Sequence, residues 1–143
     1  MTVARILGDK GREVITTQPH RTLLEVIELL ASKGIGAVVV SDTARSVLGI
    51  ISERDVVRAI GAHGSAALSQ PVSRHMTSKV TTITQDTLIH SVMEMMTHGR
   101  FRHLPVVERG SLVGLVSIGD VVKHHINEIE NEKQALTDYI ATA

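Results

Sequence analysis

The sequence predicts an α/β (α+β) protein assembled from two copies of one β-α-β-β-α unit, and three observations point there. Gly49-Ile-Ile-Ser-Glu-Arg-Asp-Val-Val57 is written again sixty-five residues later as Gly114-Leu-Val-Ser-Ile-Gly-Asp-Val-Val122. Around these anchors residues 14–60 and 80–123 align with few gaps. Thr22-Leu23 meets Thr87-Leu88, Gly34 meets Gly99, and after one inserted residue 37–42 meets 103–108. Within each copy, strand-length aliphatic runs alternate with helical periodicity. A copy this short cannot bury its apolar faces alone, so the two are expected to pack on one another.

In chain order, an N-terminal segment, 1–13, carries Val3, Ile6 and Leu7 on one face of a short amphipathic helix ending at Gly8. The first copy, 14–60, opens with a β-branched strand over 14–17, closed by Gln18-Pro19. Thr22-Leu-Leu-Glu25 has the form of a capping box. It begins a helix with Leu23, Val26, Ile27 and Leu30 inward and Gly34 as its stop. Residues 38–40 and 47–51 read as strands around the turn 41–46, and 55–60 as a second helix. The connector, 61–79, carries Gly61, Gly64 and Pro71 and one helical turn.

The second copy, 80–125, repeats the order. A strand over 80–83 precedes a helix over 88–97, with Leu88, Val92, Met95 and Met96 inward. Strands over 104–107 and 112–117 flank Arg109-Gly110, and a helix starts at Gly119. Pro105 implies an edge strand or a first position, with backbone free to face a ligand. A C-terminal helix, 126–143, sets Ile126, Ile129, Leu136 and Ile140 at 3-4 spacing interrupted by Lys133. That stripe either lies over its own domain or zips to a second subunit or partner.

Composition narrows the function. Lys+Arg and Asp+Glu stand at 15 each, so no net field draws the chain to nucleic acid or an anionic membrane. With Phe101 and Tyr139 the only large aromatic rings, base stacking along a single strand is disfavoured. Any bound purine lies between aliphatic side chains. The absence of cysteine removes disulfides, thiolate chemistry and Cys-based zinc sites. No run approaches 18 apolar residues and no signal-peptide core begins the chain, so a cytoplasmic protein is expected.

In each copy an aliphatic run ends on Ser52 or Ser117, and Asp55 or Asp120 follows three residues later. A strand turning into a helix there presents a hydroxyl, a carboxylate and free N–H groups. Such N–H groups favour phosphate, and an ionised Asp can accept from vicinal ribose hydroxyls. The same spacing also makes a helix cap that needs no ligand. Gly99-Arg-Phe-Arg-His-Leu-Pro105 places Arg100, Arg102 and His103 at the mouth of a strand. These basic groups are expected to hold phosphate while the opposite wall supplies Asp120. The first copy is apolar at that place, Gly34-Ile-Gly-Ala-Val, and Arg54 is its candidate cation. Neither HExxH nor GxSxG nor GxxxxGK[ST] occurs, and Gly34-Ile-Gly36 lacks the third glycine of a dinucleotide loop. No nucleophile–base pair stands out, so the reading is non-enzymatic with no metal required.

Taken together, the chain resembles a tandem CBS-domain pair (a Bateman module) from Thr2 to about His125. The motifs that carry the resemblance are Gly49–Val57, Val72-Ser-Arg-His-Met-Thr77 leading into Val80-Thr-Thr-Ile, Arg102-His-Leu-Pro-Val-Val107, and Gly114–Asp120. The resemblance implies two repeats related by a pseudo-twofold, with two clefts that take AMP, ADP or ATP and in some relatives NAD(H) or S-adenosylmethionine. It implies ribose contacts from Asp55 and Asp120, and ribose or phosphate contacts from Ser52 and Ser117. Arg102 and His103 would face phosphate, with Val80 and Thr82, or Thr17 in the first repeat, lining the base. Ala37, aligned with His103, belongs to the same ligand-binding set. A flat homodimer acting in trans as an energy-sensing regulator of a protein target is the implied partner state. A ligand-free assembly module is the alternative.

Overall fold

A computed structural model describes residues 1–142. Helix α1 (Val3–Lys10) precedes β1 (Thr16–Thr17), α2 (Leu23–Lys33), β2 (Ala37–Ser41), β3 (Val47–Ser52) and α3 (Glu53–His63). Two 3-10 turns, Gly64–Ser69 and Val72–Arg74, lead to α4 (Ile89–Gly99), β4 (His103–Glu108), β5 (Ser111–Ser117) and α5 (Ile118–Thr142). The expected α/β (α+β) duplication is present. One sheet has the order β1-β2-β3, parallel then antiparallel, and the other is the antiparallel pair β4-β5.

The two copies keep a different register from the one their glycines suggest. Thr17 pairs with Val40 while Ile83 pairs with Val106, which puts equivalent residues 66 apart through the first half of each repeat. Thr22 caps α2 with a full capping box, but its counterpart at the cap of α4 is Leu88, without a side-chain bond. Leu88 is therefore 54% exposed and Ile89 takes the inward place, correcting the expected face of α4. Thr87 instead accepts the Thr84 N–H in the preceding turn (3.2 Å). At the other end Gly34 takes the left-handed conformation (φ 64°), and Arg100 rather than Gly99 does so after α4 (φ 58°).

The expected strand over 80–83 is a single bridge at Ile83. Pro105 explains its loss. It occupies the place of Val39, the partner of Thr16, and has no N–H with which to extend a parallel ladder. Pro105 is also buried as the third residue of β4, and its carbonyl accepts the Ile83 N–H (3.0 Å), so its backbone does not face a ligand. The connector holds more helix than the expected single turn, because α3 runs on to His63 and both 3-10 turns follow.

The repeats do not share one core. Leu23, Val26, Val38, Val40 and Ile51 form the first, closed by Ala67 and Val72 from the connector. Ile89, Val92, Leu104, Val106 and Val116 form the second, closed by Val3, Ile6 and Leu7 from α1. Each repeat is completed by the segment that precedes the other. Glycine makes this possible twice, because a Cβ at Gly49 would stand 2.6 Å from Met76 Sδ, and one at Gly114 would stand 2.6 Å from Leu7 Cδ2. Val39 is fully buried in neither core, on the face of β2 opposite Val38 and Val40. The hairpins are tied to each other by Leu112 N–H to Arg45 O (2.9 Å) and Arg45 Nε–H to Leu112 O (3.3 Å).

Helix α5 corrects the simpler expectation for the tail. Val121 and His124 are its buried residues, His125 and Glu128 are half-buried, and from Ile129 on every described residue is exposed. Ala143, the end of the expected 126–143 helix, falls outside the described residues.

Candidate ligand-binding clefts

Both Ser/Asp corners form as caps. Asp55 Oδ2 accepts from the Ser52 N–H (2.8 Å) and hydroxyl (3.0 Å), and the Asp55 N–H donates to Ser52 Oγ (3.4 Å). Asp120 Oδ2 accepts from the Ser117 N–H (2.9 Å), and the Asp120 N–H donates to Ser117 Oγ (3.1 Å). The first N–H of each helix is also used within the chain, Glu53 to Gly36 O (3.0 Å) and Ile118 to Arg102 O (2.8 Å). Two of the first three N–H groups are thus satisfied without a ligand. Each carboxylate still has oxygen capacity beyond its cap.

Ser52 and Asp55 both border one cavity, whereas of the second corner only Ser117 borders another and the expected Asp120 borders neither. The first, of about 430 Å³, is bordered by Ser52, Asp55 and Arg54, with Thr77 and Ile50 on one wall and 99–103 across from them. Arg100 and Arg102 therefore stand opposite the Asp55 corner, not the Asp120 corner as expected. The backbone carbonyl of Arg102 holds the start of α5, and the same residue borders the cavity that holds the corner of the other repeat. Arg58 joins them from α3. It lies four residues from Arg54 and so on the same helical face, a relation readable in the sequence. Among the described residues none of Arg54, Arg58, Arg100 and Arg102 has a carboxylate within ion-pair distance. Arg100 is held there by its left-handed backbone, and a Cβ on Gly99 would overlap the Phe101 ring.

The second cavity, of about 390 Å³, is smaller and less basic. Ser117 and Leu115 border it on one side; Val14, Ile15 and Ala37 stand on the other. Lys10 and Glu13 are its charged residues apart from His103, which borders both cavities. Lys10 Nζ donates to Asp120 Oδ2 (2.6 Å) and to Leu115 O (2.9 Å). Burial pushes the Asp120 carboxyl up, but the Lys10 ammonium and the Ser117 bonds outweigh it and hold it below its ordinary value. Asp9, next to Lys10, accepts from His124 Nε2 (2.9 Å), so the end of α1 is clamped to α5 at two points. Nothing local in the sequence pairs Lys10 with a residue 110 positions away.

Burial pushes the His103 imidazole below its ordinary pKa, Lys10 and Arg102 add to this, and Asp120 and Glu53 partly oppose it. An affinity change between pH 6 and 8, the ordinary expectation for histidine, is therefore displaced to the acid side. Of the other expected residues, Thr17 sits in β1, and neither it nor Val80 or Thr82 borders either cavity. Val14, Ile15 and Thr77 border them instead. Among the described residues no cluster of His, Asp and Glu could hold a metal, and no helix is long and apolar enough to cross a membrane.

Two half-domains, each ending a strand on a Ser/Asp corner and each facing a cleft against its twin, define a tandem repeat module. Comparison with known proteins gives that class its name: the CBS domain matches twice, over residues 9–62 and 72–127, and the chain belongs to this family. A CBS-domain protein of Agrobacterium tumefaciens is 46% identical and superimposes with a TM-score of 0.85, covering 87% of this chain and 99% of its own. The mitochondrial CBS-domain protein CBSX3 of Arabidopsis thaliana is 32% identical over 97% of this chain and 71% of its own length. The fold is also that of CBSX2 bound to AMP (TM-score 0.76, 20% identical, covering 88% of this chain and 97% of its own). The CBS pair of MJ0100, bound to methylthioadenosine and S-adenosylmethionine, shares it too (0.80, 22%, 90% and 98%).

Proposed function

We propose that the chain is a non-enzymatic sensor of adenine nucleotides that passes its ligand state to a protein target in trans. The observation that carries this reading is the first cleft, where four arginines with no carboxylate partner among the described residues border a cavity of about 430 Å³ beside the Asp55 carboxylate. Guanidinium forks match phosphate oxygens in pairs. AMP, ADP and ATP fit this chemistry, and NAD(H) fits as a larger diphosphate. The AMP held by CBSX2 and the nucleosides held by MJ0100 support the ligand class. Asp55 and Ser52 serve the sugar, and Arg54, Arg58, Arg100 and Arg102 serve the phosphates. The second cleft, with Lys10 already on Asp120, suits a ligand of little negative charge.

Both clefts lie between the repeats, so a bound nucleotide stabilises one relative orientation of the two. It shifts a partner only by its differential affinity for the alternatives. Titration with AMP, ATP and NADH followed by thermal melting tests the reading. At a hundredfold excess over Kd, ligand should add about 2.7 kcal/mol of stability. No shift at millimolar concentration of any of the three would end it. Arg100→Gly is the companion variant, because glycine accepts the left-handed backbone, so the fold should survive while ATP binding weakens. Unchanged ATP affinity would remove the arginine cluster from the site. The exposed stripe of α5 favours a second reading, an assembly module with empty clefts, which predicts self-association indifferent to all three nucleotides.

A further inference from the structure

Helix α5 continues well past the residues it buries, and its outer part carries an ordered apolar stripe. Val122, Ile126, Ile129, Lys133, Leu136 and Ile140 follow spacings of 4, 3, 4, 3 and 4 without a break. At about 100° per residue they occupy an arc of roughly 80°, centred roughly 100–160° around the helix from the buried Val121 and His124. The stripe is therefore not an extension of the face that packs on the second repeat. Ile126, Ile129, Leu136 and Ile140 are 48%, 50%, 61% and 67% exposed. A polar helix of this length is marginal in water on its own, and burial of its apolar seam is what would hold it.

We propose that α5 pairs in parallel with α5 of a second copy of this chain along this seam. Ile126, Lys133 and Ile140 take the a positions of a heptad, and Val122, Ile129 and Leu136 take the d positions. A single Lys among otherwise apolar a residues sets the register and limits the number of strands, at a cost in stability. The flanking charges choose the direction. In a parallel pair, His125 at g stands against Glu130 at e of the second copy, and Lys133 stands beside Glu132 of the second copy. Antiparallel pairing of the same layers would set Glu130 against Glu130 and Glu132 against Glu132. The pairing places both CBS pairs at the same end of the coil. It is independent of whether the clefts take a nucleotide.

Because the chain has no cysteine, a single introduced thiol reports the geometry. In the full-length protein, Leu136→Cys should oxidise to a disulfide-linked dimer, since a d residue meets its own counterpart only in a parallel pair. Ala135→Cys, off the seam, should not. An equal mixture of Ile126→Cys and Leu136→Cys chains that cross-links preferentially to each other would mean antiparallel pairing and overturn the proposal. In sedimentation equilibrium, Leu136→Asp should raise the dimer dissociation constant about tenfold or more. The melting transition of the repeats should stay in place, because Leu136 does not pack on them. A dimer indifferent to Leu136→Asp is held by another face, and a wild-type chain that stays monomeric has no such seam. Either result overturns the proposal.

Discussion

At the scale of single residues, the second cleft is governed by one long-range contact. Lys10 occupies Asp120, so a ligand that uses this carboxylate must displace the ammonium or take it over. Lys10→Met should leave burial unopposed by that cation and raise the Asp120 pKa. A carboxyl-carbon NMR titration reads this directly, and an unmoved pKa would show that the Ser117 cap alone holds the charge. His103 lies between the two clefts, and its depressed pKa carries a sign. The folded protein takes up this proton less readily than the unfolded chain. Stability should therefore fall as pH drops through about 6.5 toward the folded value, because the unfolded state gains the proton first. His103→Gln should blunt that loss in melts between pH 5 and 7. Affinity for ATP should be flat from pH 7 to 8 and strengthen only on the acid side.

At the scale of elements, the decisive feature is the exchange of closing segments. α1 lies on β5 where Gly114 leaves room for Leu7, and the segment after Val72–Arg74 lies on β3 where Gly49 leaves room for Met76. Gly114→Ala should cost about 1–3 kcal/mol by overpacking. Leu7→Ala in the same chain should restore part of this, giving a coupling term in a double-mutant cycle of chemical denaturation. Strict additivity would mean that β5 and α1 separate to admit the methyl. Pro105 belongs to this scale too. One missing N–H on β4 shortens the parallel ladder of the second repeat to a bridge, and the two sheets of a duplicated unit come out with three strands and two.

For the whole molecule, the exchange makes each half depend on chain that lies outside it. Removing residues 1–10 takes Val3, Ile6 and Leu7, all fully buried, out of the second core while leaving the first untouched. Each such loss costs about 2–5 kcal/mol, so together they rival the roughly 5–15 kcal/mol that stabilises a whole domain. Hydrogen exchange on the truncated chain should show protection lost in β4 and β5 and kept in β2 and β3. Equal loss in both sheets would mean that the repeats unfold as one unit, coupled through Arg45 and Leu112. The same dependence gives the clefts their leverage, because whatever grips both repeats acts on an arrangement that neither repeat holds alone.

The sequence alone determined the duplication, the order of elements apart from the strand expected over 80–83, the Ser/Asp corners and the family, because each is written in local periodicity or in a run of residues that recurs. Arg58 was within its reach as well, through its i, i+4 relation to Arg54. Tertiary structure decided which corner meets which basic loop, since Arg100 and Arg102 come from one repeat and face the Asp55 of the other. It also decided that Lys10 meets Asp120 across 110 residues, and that α1 completes the second core. Composition and spacing fix what a short stretch of chain can form by itself. Pairing between stretches depends on how two complete surfaces fit, and that fit turned on a glycine without a Cβ and a proline without an N–H.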